Sequence, residues 1–108
     1  MTNPSDRLLN SITKDNLWFY ILSLLSKKDM YPYEIRKEVN KIFGFNPGIV
    51  TAYYVLYKLE NEGFVKSGKK IKLIGPERKY YKITQKGRIE LKNGKKLFLK
   101  ILRGYGKI

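Results

Sequence analysis

The side chains that carry chemistry in most enzymes and metal sites are scarce in this sequence. Of its 108 residues, none is cysteine and none is histidine. Disulfides, zinc sites of the usual kind, and Ser-His or Cys-His nucleophiles are therefore excluded. Carboxylate chemistry is a poor alternative, because the nine acids are scattered through lysine-rich stretches and Glu60 and Glu62 lie on different sides of a predicted helix. We expect no catalytic residue, no metal and no cofactor.

What remains is electrostatic chemistry, since 23 lysines and arginines against nine acids give a net charge of +14. The charge is unevenly placed. Residues 1–62 hold eight bases and seven acids, a net of +1, whereas residues 63–108 hold fifteen bases and two acids, a net of +13. Such a basic half attracts a polyanion, most simply a nucleic acid. A solvated, lysine-rich surface is the alternative that composition leaves open.

Length and hydropathy indicate one domain without membrane contact. The chain is 43% hydrophobic, although a chain this short buries only about 60–70% of its unfolded surface, so subunit association would add support. The apolar stretch from Leu17 to Leu25 has nine residues, whereas a bilayer requires roughly 20. The first ten residues lack the apolar core of a signal peptide. We expect a cytoplasmic protein.

Apolar periodicity predicts three helices, over about residues 14–26, 32–42 and 47–62. Thr13 is a candidate N-cap, Pro32 suits a first helical position, and Gly63 is placed to end the third helix. The first helix is apolar nearly all round, which indicates burial on more than one side, for example against its own core and a partner subunit.

The third helix has two distinct faces at 100° per residue. Its core stripe comprises Ala52, Val55, Leu56 and Leu59. The opposite face carries Thr51, Tyr54, Lys58 and Asn61, flanked by Val50 and Tyr57. An exposed face with two tyrosines, a threonine and a lysine is unusual for solubility alone.

Two strand-like runs follow, over residues 64–73 and 79–84, joined by a turn at Gly75 and Pro76. Lysines and arginines crowd both runs and make a basic hairpin. A last helix over about residues 85–102 has an apolar side, an opposite basic side, and Gly94, which permits close approach of another helix. This order predicts an α+β, mostly α fold: a winged helix-turn-helix with three helices and a two-stranded β wing, whose third helix enters the major groove.

Three segments resemble the PadR family of winged-helix transcriptional regulators. They are ILSLLSKKDMYPYEI (21–35), YYVLYKLENEGFV (53–65) and GPERKYYKITQKGRIEL (75–91). They are similar to the family's entry into its second helix, the end of its recognition helix, and its wing tip with the start of its last helix. The resemblance covers about residues 17–102. In the family a Pro-Gly or Ser-Gly pair lies closer to the recognition-helix tyrosine than Pro47 and Gly48 do here, which leaves the start of that helix open.

The short C-terminal portion resembles the family's small subgroup, in which the last helix packs across a dimer. The resemblance implies an N-terminal extension (1–13), a winged helix-turn-helix DNA-binding domain (14–84), and a C-terminal dimerisation helix and tail (85–108). The residues that we expect at the homodimer interface are Leu17, Trp18, Ile21, Leu91, Phe98, Ile101 and Leu102.

The expected partner is double-stranded DNA. The candidate contacts are Asn46, Thr51, Tyr53, Tyr54, Tyr57 and Lys58 in or beside the recognition helix, and Lys69, Lys70, Lys72, Arg78 and Lys79 in the wing. Thr51 and Tyr54 are the candidates for base contact, while Lys58 suits a phosphate. Tyr53 either touches a phosphate or braces the helix against the core. Because the outward half of the helix offers few bidentate base readers, tyrosine stacking, methyl contacts, water bridges or DNA shape would carry specificity.

These residues predict a sequence-specific transcriptional regulator, a repressor, that binds a pseudo-palindromic operator as a homodimer. A sequence-nonspecific architectural DNA-binding protein and a winged-helix module for RNA or protein are the alternatives. The resemblance also implies a small aromatic or amphiphilic effector, bound between subunits by Trp18, Phe19, Tyr20 and Phe98. A filled hydrophobic dimer core would explain the same cluster.

Overall fold

The computed structural model describes residues 3–72, 74, 75 and 77–108, and the side chain of Lys69 lies outside that description. The helices are α1 (Pro4–Ile12), α2 (Leu17–Leu25), α3 (Pro32–Phe43), α4 (Ile49–Asn61) and α5 (Gln85–Gly104). The strands are β1 (Val65–Ile71) and β2 (Arg78–Ile83), and short 3₁₀ turns cover Lys14–Asn16 and Tyr105–Lys107. The predicted winged helix-turn-helix order is confirmed, with α4 as the recognition helix and the β1–β2 hairpin as the wing.

The core is built around α2, and every other element of the winged helix contributes to it. Its buried apolar side chains are Leu17, Ile21, Leu22, Leu24, Leu25, Met30, Ile35, Val39, Ala52, Leu56, Leu59, Val65, Tyr81, Ile83 and Leu91. Helices α3, α4 and α5 and strand β2 all contact α2. The apolar residues on nearly all sides of α2 are therefore explained by burial within one chain.

The N-terminal segment holds a helix that periodicity did not predict. Pro4 occupies the first helical position of α1, and the carboxylate of Asp6 accepts the backbone N–H of Asn3 at 3.0 Å. Thr13 precedes the 3₁₀ turn Lys14–Asn16 but makes no side-chain capping hydrogen bond there, and the N-cap position of α2 is Asn16, so the predicted capping role of Thr13 is wrong. Its hydroxyl donates to the carbonyl of Leu9 at 2.5 Å, because α1 ends there with unsatisfied carbonyls.

The recognition helix begins two residues later than predicted. Gly48 has an extended backbone (φ −63°, ψ 152°) and its carbonyl accepts the first helical hydrogen bond, from Ala52, at 2.9 Å. Helix α4 therefore starts at Ile49, directly after Pro47 and Gly48. At the other end, Gly63 adopts φ +83°, the left-handed conformation that stops a helix.

The wing is an antiparallel pair in which Val65 lies opposite Ile83 and Ile71 lies opposite Arg78. A register shift between Ser67 and Lys70 marks a bulge in β1. Strand β1 is shorter than predicted, so Lys72 follows it instead of lying within it, whereas β2 has the predicted length and begins one residue earlier. The hairpin is held to the helical body by two backbone hydrogen bonds between Met30 and Tyr81, of 2.9 and 3.3 Å.

Two glycines let α5 lie close to the rest of the fold. At Gly87 a Cβ atom would come within 2.1 Å of the carbonyl oxygen of Phe64. At Gly94 it would come within 2.8 Å of the ring of Phe19, so this glycine does permit the close helix approach that the sequence predicted. The threonine before α5, Thr84, caps it by accepting the N–H of Gly87 at 3.1 Å. Among the described residues, no helix is both long and apolar enough to span a bilayer.

Candidate nucleic-acid interface

The face of α4 directed away from the core is aromatic and nearly uncharged. Tyr54 and Tyr57 are 59% and 65% exposed, and Thr51 and Val50 are also exposed. The predicted core stripe packs inward, with Ala52, Leu56 and Leu59 buried and Val55 half-buried. Thr51, Tyr54 and Tyr57, three of the side chains predicted to touch DNA, thus lie on one exposed surface of the helix.

Lys58 is the lone lysine or arginine of α4. Its ammonium lies 5.9 Å from the ring centre of Tyr54, at the outer limit of a cation–π contact. Tyr53 is 53% exposed, so about half of its surface is covered by the chain. Asn46 is exposed in the loop that precedes α4.

A carboxylate links the recognition helix to the wing. Oε2 of Glu60 accepts the backbone N–H of Ser67 at 2.9 Å and the hydroxyl of the same residue at 2.6 Å. Oε1 of Glu60 lies 3.9 Å from the ammonium of Lys79. The Ser67 hydrogen bonds, followed by the charge of Lys79, hold the pKa of Glu60 below its usual range, while partial burial opposes them. Helix α4 thereby fixes β1 at the residue where its bulge begins.

The cationic side chains predicted in the wing differ in whether a carboxylate lies near them. The ammonium of Lys70 lies 3.8 Å from the carboxylate of Glu77, with the two side chains 62% and 51% exposed, so the pair is weak. Lys79 is half-buried and shared between Glu60 and the ring of Tyr81, at 5.4 Å. Lys72 is exposed beyond the end of β1. The predicted contact by the Lys69 side chain falls outside the described part of the chain.

Arg78 rests on an aromatic platform at the base of the wing. Its guanidinium carbon lies 4.7 Å from the ring centre of Tyr31, which in turn stacks on Tyr33 at 6.4 Å and meets the edge of Tyr80 at 5.3 Å. The platform joins the start of α3 to β2. Sequence reasoning missed Tyr31, which meets Arg78 from far along the chain, and Glu60, whose partner Ser67 lies across the turn into β1.

A cleft beside the N-terminal end of α4 brings Asn46, a predicted contact, together with residues that were not predicted as contacts. It has a volume of about 210 Å³. Its walls are Tyr33, Arg36, Lys37, Asn40, Asn46 and Pro47. The spacing of the four α3 residues, which places them on one helical face, was the available signal.

The residues predicted at a dimer interface divide into two groups. Leu17, Ile21 and Leu91 are at most 5% exposed within the single chain, so the prediction that they touch a partner subunit is corrected: they complete the chain's own core. Trp18 and Phe98 are half-buried. Further along α5, Ile101 and Leu102 are 67% and 60% exposed.

The aromatic cluster predicted as an effector pocket is packed within the chain. The ring of Phe19 lies 5.6 Å from Trp18, 5.7 Å from Tyr20 and 5.2 Å from Phe98. These distances are those of aromatic rings in contact, which leaves little room between them.

A separate cavity of about 470 Å³ uses Trp18 but not the other three aromatic side chains. Tyr54, Lys58, Glu62 and Glu90 contribute to its walls. It lies between α2, α5 and one flank of the recognition helix. Within the described residues, no group of three or more Asp or Glu side chains is arranged to hold a metal ion.

Comparison with protein families shows to which family a chain with this fold and this surface belongs. A model of the transcriptional regulator PadR-like family matches residues 21–93. The chain belongs to this family. The match runs from within α2 to the first half of α5 and so includes the helix-turn-helix and the wing of this PadR-like protein. It confirms the resemblance drawn from the three sequence segments.

Solved structures agree with that assignment. A PadR family regulator from Clostridium difficile is 32% identical over 83% of this chain and 94% of its own, with a TM-score of 0.74. A PadR-like regulator from Bacillus cereus is 29% identical over 87% and 91%, with a TM-score of 0.73. Bacillus subtilis PadR, solved in complex with operator DNA, is 30% identical over 71% of this chain and 45% of its own, with a TM-score of 0.65. The search of curated proteins gives no match.

Proposed function

We propose that this PadR-like protein binds an operator as a homodimer and represses transcription, with α4 in the major groove and the wing on the flanking backbone. The observation that carries the proposal is the exposed aromatic face of α4 beside a wing whose side chains are mainly cationic. The operator complex of Bacillus subtilis PadR supports DNA as the partner. In a helix-turn-helix dimer the two recognition helices enter grooves about one helical turn apart.

Thr51, Tyr54 and Tyr57 would meet the base edges, because they project from the outward face of α4. Lys58 lies one turn beyond Tyr54 and would reach a phosphate. In the wing, Lys70, Lys72 and Arg78 would hold the backbone. Tyr53 and Asn46 are also exposed, and in this proposal they make flanking contacts.

The decisive experiment is selection of binding sites from random duplex DNA, combined with a salt titration on the selected site. If a dimer neutralises about 6–10 phosphates, affinity falls by roughly 10³–10⁵ between 50 and 200 mM salt. A steep salt slope without any preferred sequence would instead support an architectural DNA-binding protein. A preference for structured RNA in competition would support the RNA-binding alternative. Transcription from a template that carries the selected site, with and without the protein, tests repression.

The homodimer proposal is supported by the second half of α5. The apolar stripe that is buried at Leu91 continues through half-buried Phe98 to exposed Ile101 and Leu102. An exposed apolar stripe of this kind is typical of a subunit interface. We expect Ile101→Glu to yield a monomer of 12.7 kDa by light scattering, because a charge at a 67% exposed position blocks association without disturbing the core.

Phe98→Glu should also give a monomer, although Phe98 additionally packs on Phe19. Lys100→Glu, on the opposite side of α5 from the apolar stripe, is the matched control and should remain dimeric. A dimer mass for Ile101→Glu would contradict this interface.

A small aromatic or amphiphilic effector would fit the 470 Å³ cavity beside Trp18 better than the packed ring cluster. The chain has one tryptophan, so quenching of its fluorescence by candidate compounds reports binding directly. Glu90→Ala should alter this quenching, because Glu90 lines the cavity with Trp18.

A further inference from the structure

Helix α3 forms one wall of a cleft whose chemistry suits an oxyanion. Two cationic side chains, Arg36 and Lys37, and the phenol of Tyr33 face it. The amides of Asn40 and Asn46 add further donors. Each of these groups can donate a hydrogen bond, and the cleft walls include no carboxylate among the described residues.

Arg36 is held in place before any ligand arrives. Its Nε donates to the carbonyl oxygen of Pro47 at 3.2 Å, which ties α3 to the loop that leads into α4. One N–H of the guanidinium is used in this way, and the remaining four stay available for an oxyanion. A fixed guanidinium binds phosphate with less loss of side-chain freedom than a mobile one.

Among the residues that the structure describes, no carboxylate forms an ion pair with the cations of the cleft. The nearby acid Glu34 forms an ion pair with Lys28 at 2.9 Å. Within the described residues, neither Arg36 nor Lys37 has a carboxylate within 4.0 Å. This differs from the wing, where Lys70 and Lys79 both have a carboxylate neighbour.

We propose that this cleft is a binding site for a backbone phosphate of the duplex, placed by Arg36 and Lys37 at the N-terminal end of the recognition helix. The inference rests on the proposed DNA-binding function and adds an anchor that is separate from the wing. A phosphate held there sets how far the N-terminal end of α4 enters the groove, because Arg36 bonds the residue that precedes Gly48 and α4. The site carries no sequence information of its own.

The test is a salt titration of Lys37→Gln on both the selected operator and a random duplex. Loss of one phosphate contact lowers the salt slope by about one for each protomer and weakens binding uniformly across sequences. We expect roughly a fivefold loss per protomer near 0.15 M salt, equal on both duplexes. Lys37 is exposed and has no ion pair in the described part of the chain, so the variant should fold normally.

The matched control is Lys27→Gln, which removes the same charge from an exposed lysine outside the cleft. Phosphate-ethylation interference adds a positional readout: at one phosphate in each half-site, interference should weaken in Lys37→Gln, where Arg36 still faces that phosphate, and keep its full strength in Lys27→Gln. Equal salt slopes and footprints for the two variants would overturn the phosphate site. Absence of duplex binding by the unmodified protein would instead overturn the proposed function itself.

Discussion

The recognition helix and the wing lie side by side in this PadR-like protein but have opposite chemistry. Residues 49–61 hold one base and one acid, whereas residues 65–83 hold seven bases and one acid. The helix presents aromatic rings and a hydroxyl, and the wing presents ammonium groups. The proposed function therefore assigns long-range attraction to the wing and sequence reading to the helix, since charge acts through the backbone of any duplex and base edges require short-range contacts.

The two elements are nevertheless joined into one surface. Phe64, which connects them, donates its N–H to the carbonyl of Leu59 in α4 at 2.8 Å and accepts the N–H of Thr84 at 3.1 Å. The hydroxyl of Thr84 donates to the carbonyl of Gly63 at 2.6 Å. The end of α4, both ends of the wing and the start of α5 thus meet within a few residues.

The largest effect is expected from Gly87→Ala, which breaks this junction. The new Cβ would lie 2.1 Å from the carbonyl oxygen of Phe64. Because that oxygen belongs to the backbone, no side-chain rotation can relieve the clash. Overpacking of this kind costs about 1–3 kcal/mol or more, so the free energy of unfolding in urea should fall by at least the upper part of that range. Gly104→Ala, where no atom lies within 4 Å, is the control and should be neutral or slightly stabilising. Equal stability of the two variants would show that the junction is loose.

The next effect separates base reading from backbone holding. Tyr54→Ala should lower the ratio of operator affinity to random-duplex affinity by about tenfold, a loss of about 1–2 kcal/mol typical of one specific contact. Lys70→Ala should weaken both affinities together and reduce the salt slope. Fluorescence anisotropy on the two duplexes measures both quantities. If both variants lost affinity equally on operator and random DNA, Tyr54 would not read bases.

Periodicity predicted the parts of this interface that depend on local spacing. The inward stripe of α4, including Ala52 and Leu56, and the outward position of Tyr54 follow from counting along one helix. The same method could not place the start of α4, which is set by the extended backbone of Gly48. Nor could it predict α1, whose apolar side chains are all exposed in the single chain and give no core signal.

Periodicity also indicated burial without showing what would cover the buried side chains. Leu17, Ile21 and Leu91 were correctly recognised as apolar contacts but assigned to a partner, whereas they contact the rest of their own chain. Glu60 illustrates the reverse case. The hydrogen bonds of Glu60 to the wing depend on the register of a hairpin that bulges at Ser67. Nothing in this sequence distinguishes that bulge from a regular strand.

The link between helix and wing gives the third prediction. Replacing Glu60 by Gln keeps an oxygen acceptor for Ser67 but removes the charge that strengthens both hydrogen bonds, so stability at pH 7 should fall by about 1 kcal/mol. Because the folded pKa of Glu60 lies below its ordinary value of 4.5, its contribution is complete above that pH and is lost as the pH falls below it. Urea unfolding between pH 7 and pH 3 should show this acid-side loss in the parent protein and less of it in Glu60→Gln.

Glu38→Gln is the control for that experiment, since it makes the same change on α3 at a carboxylate without a hydrogen bond among the described contacts. It should leave the acid-side loss intact. A pH profile of Glu60→Gln that matched the parent would mean that the link between helix and wing contributes no measurable stability.

The smallest effect concerns the charge of the wing itself. Glu77 is the lone acid of residues 65–83 and lies 3.8 Å from the ammonium of Lys70, with both side chains exposed. Glu77→Gln should change the free energy of unfolding by less than about 0.5 kcal/mol, because exposed ion pairs contribute little. It should nonetheless raise affinity for operator and random duplex by the same modest factor, since the wing gains a unit of positive charge and Lys70 no longer has to leave a carboxylate to reach a phosphate. A gain confined to the operator would place Glu77 near the bases and assign part of the sequence reading to the wing.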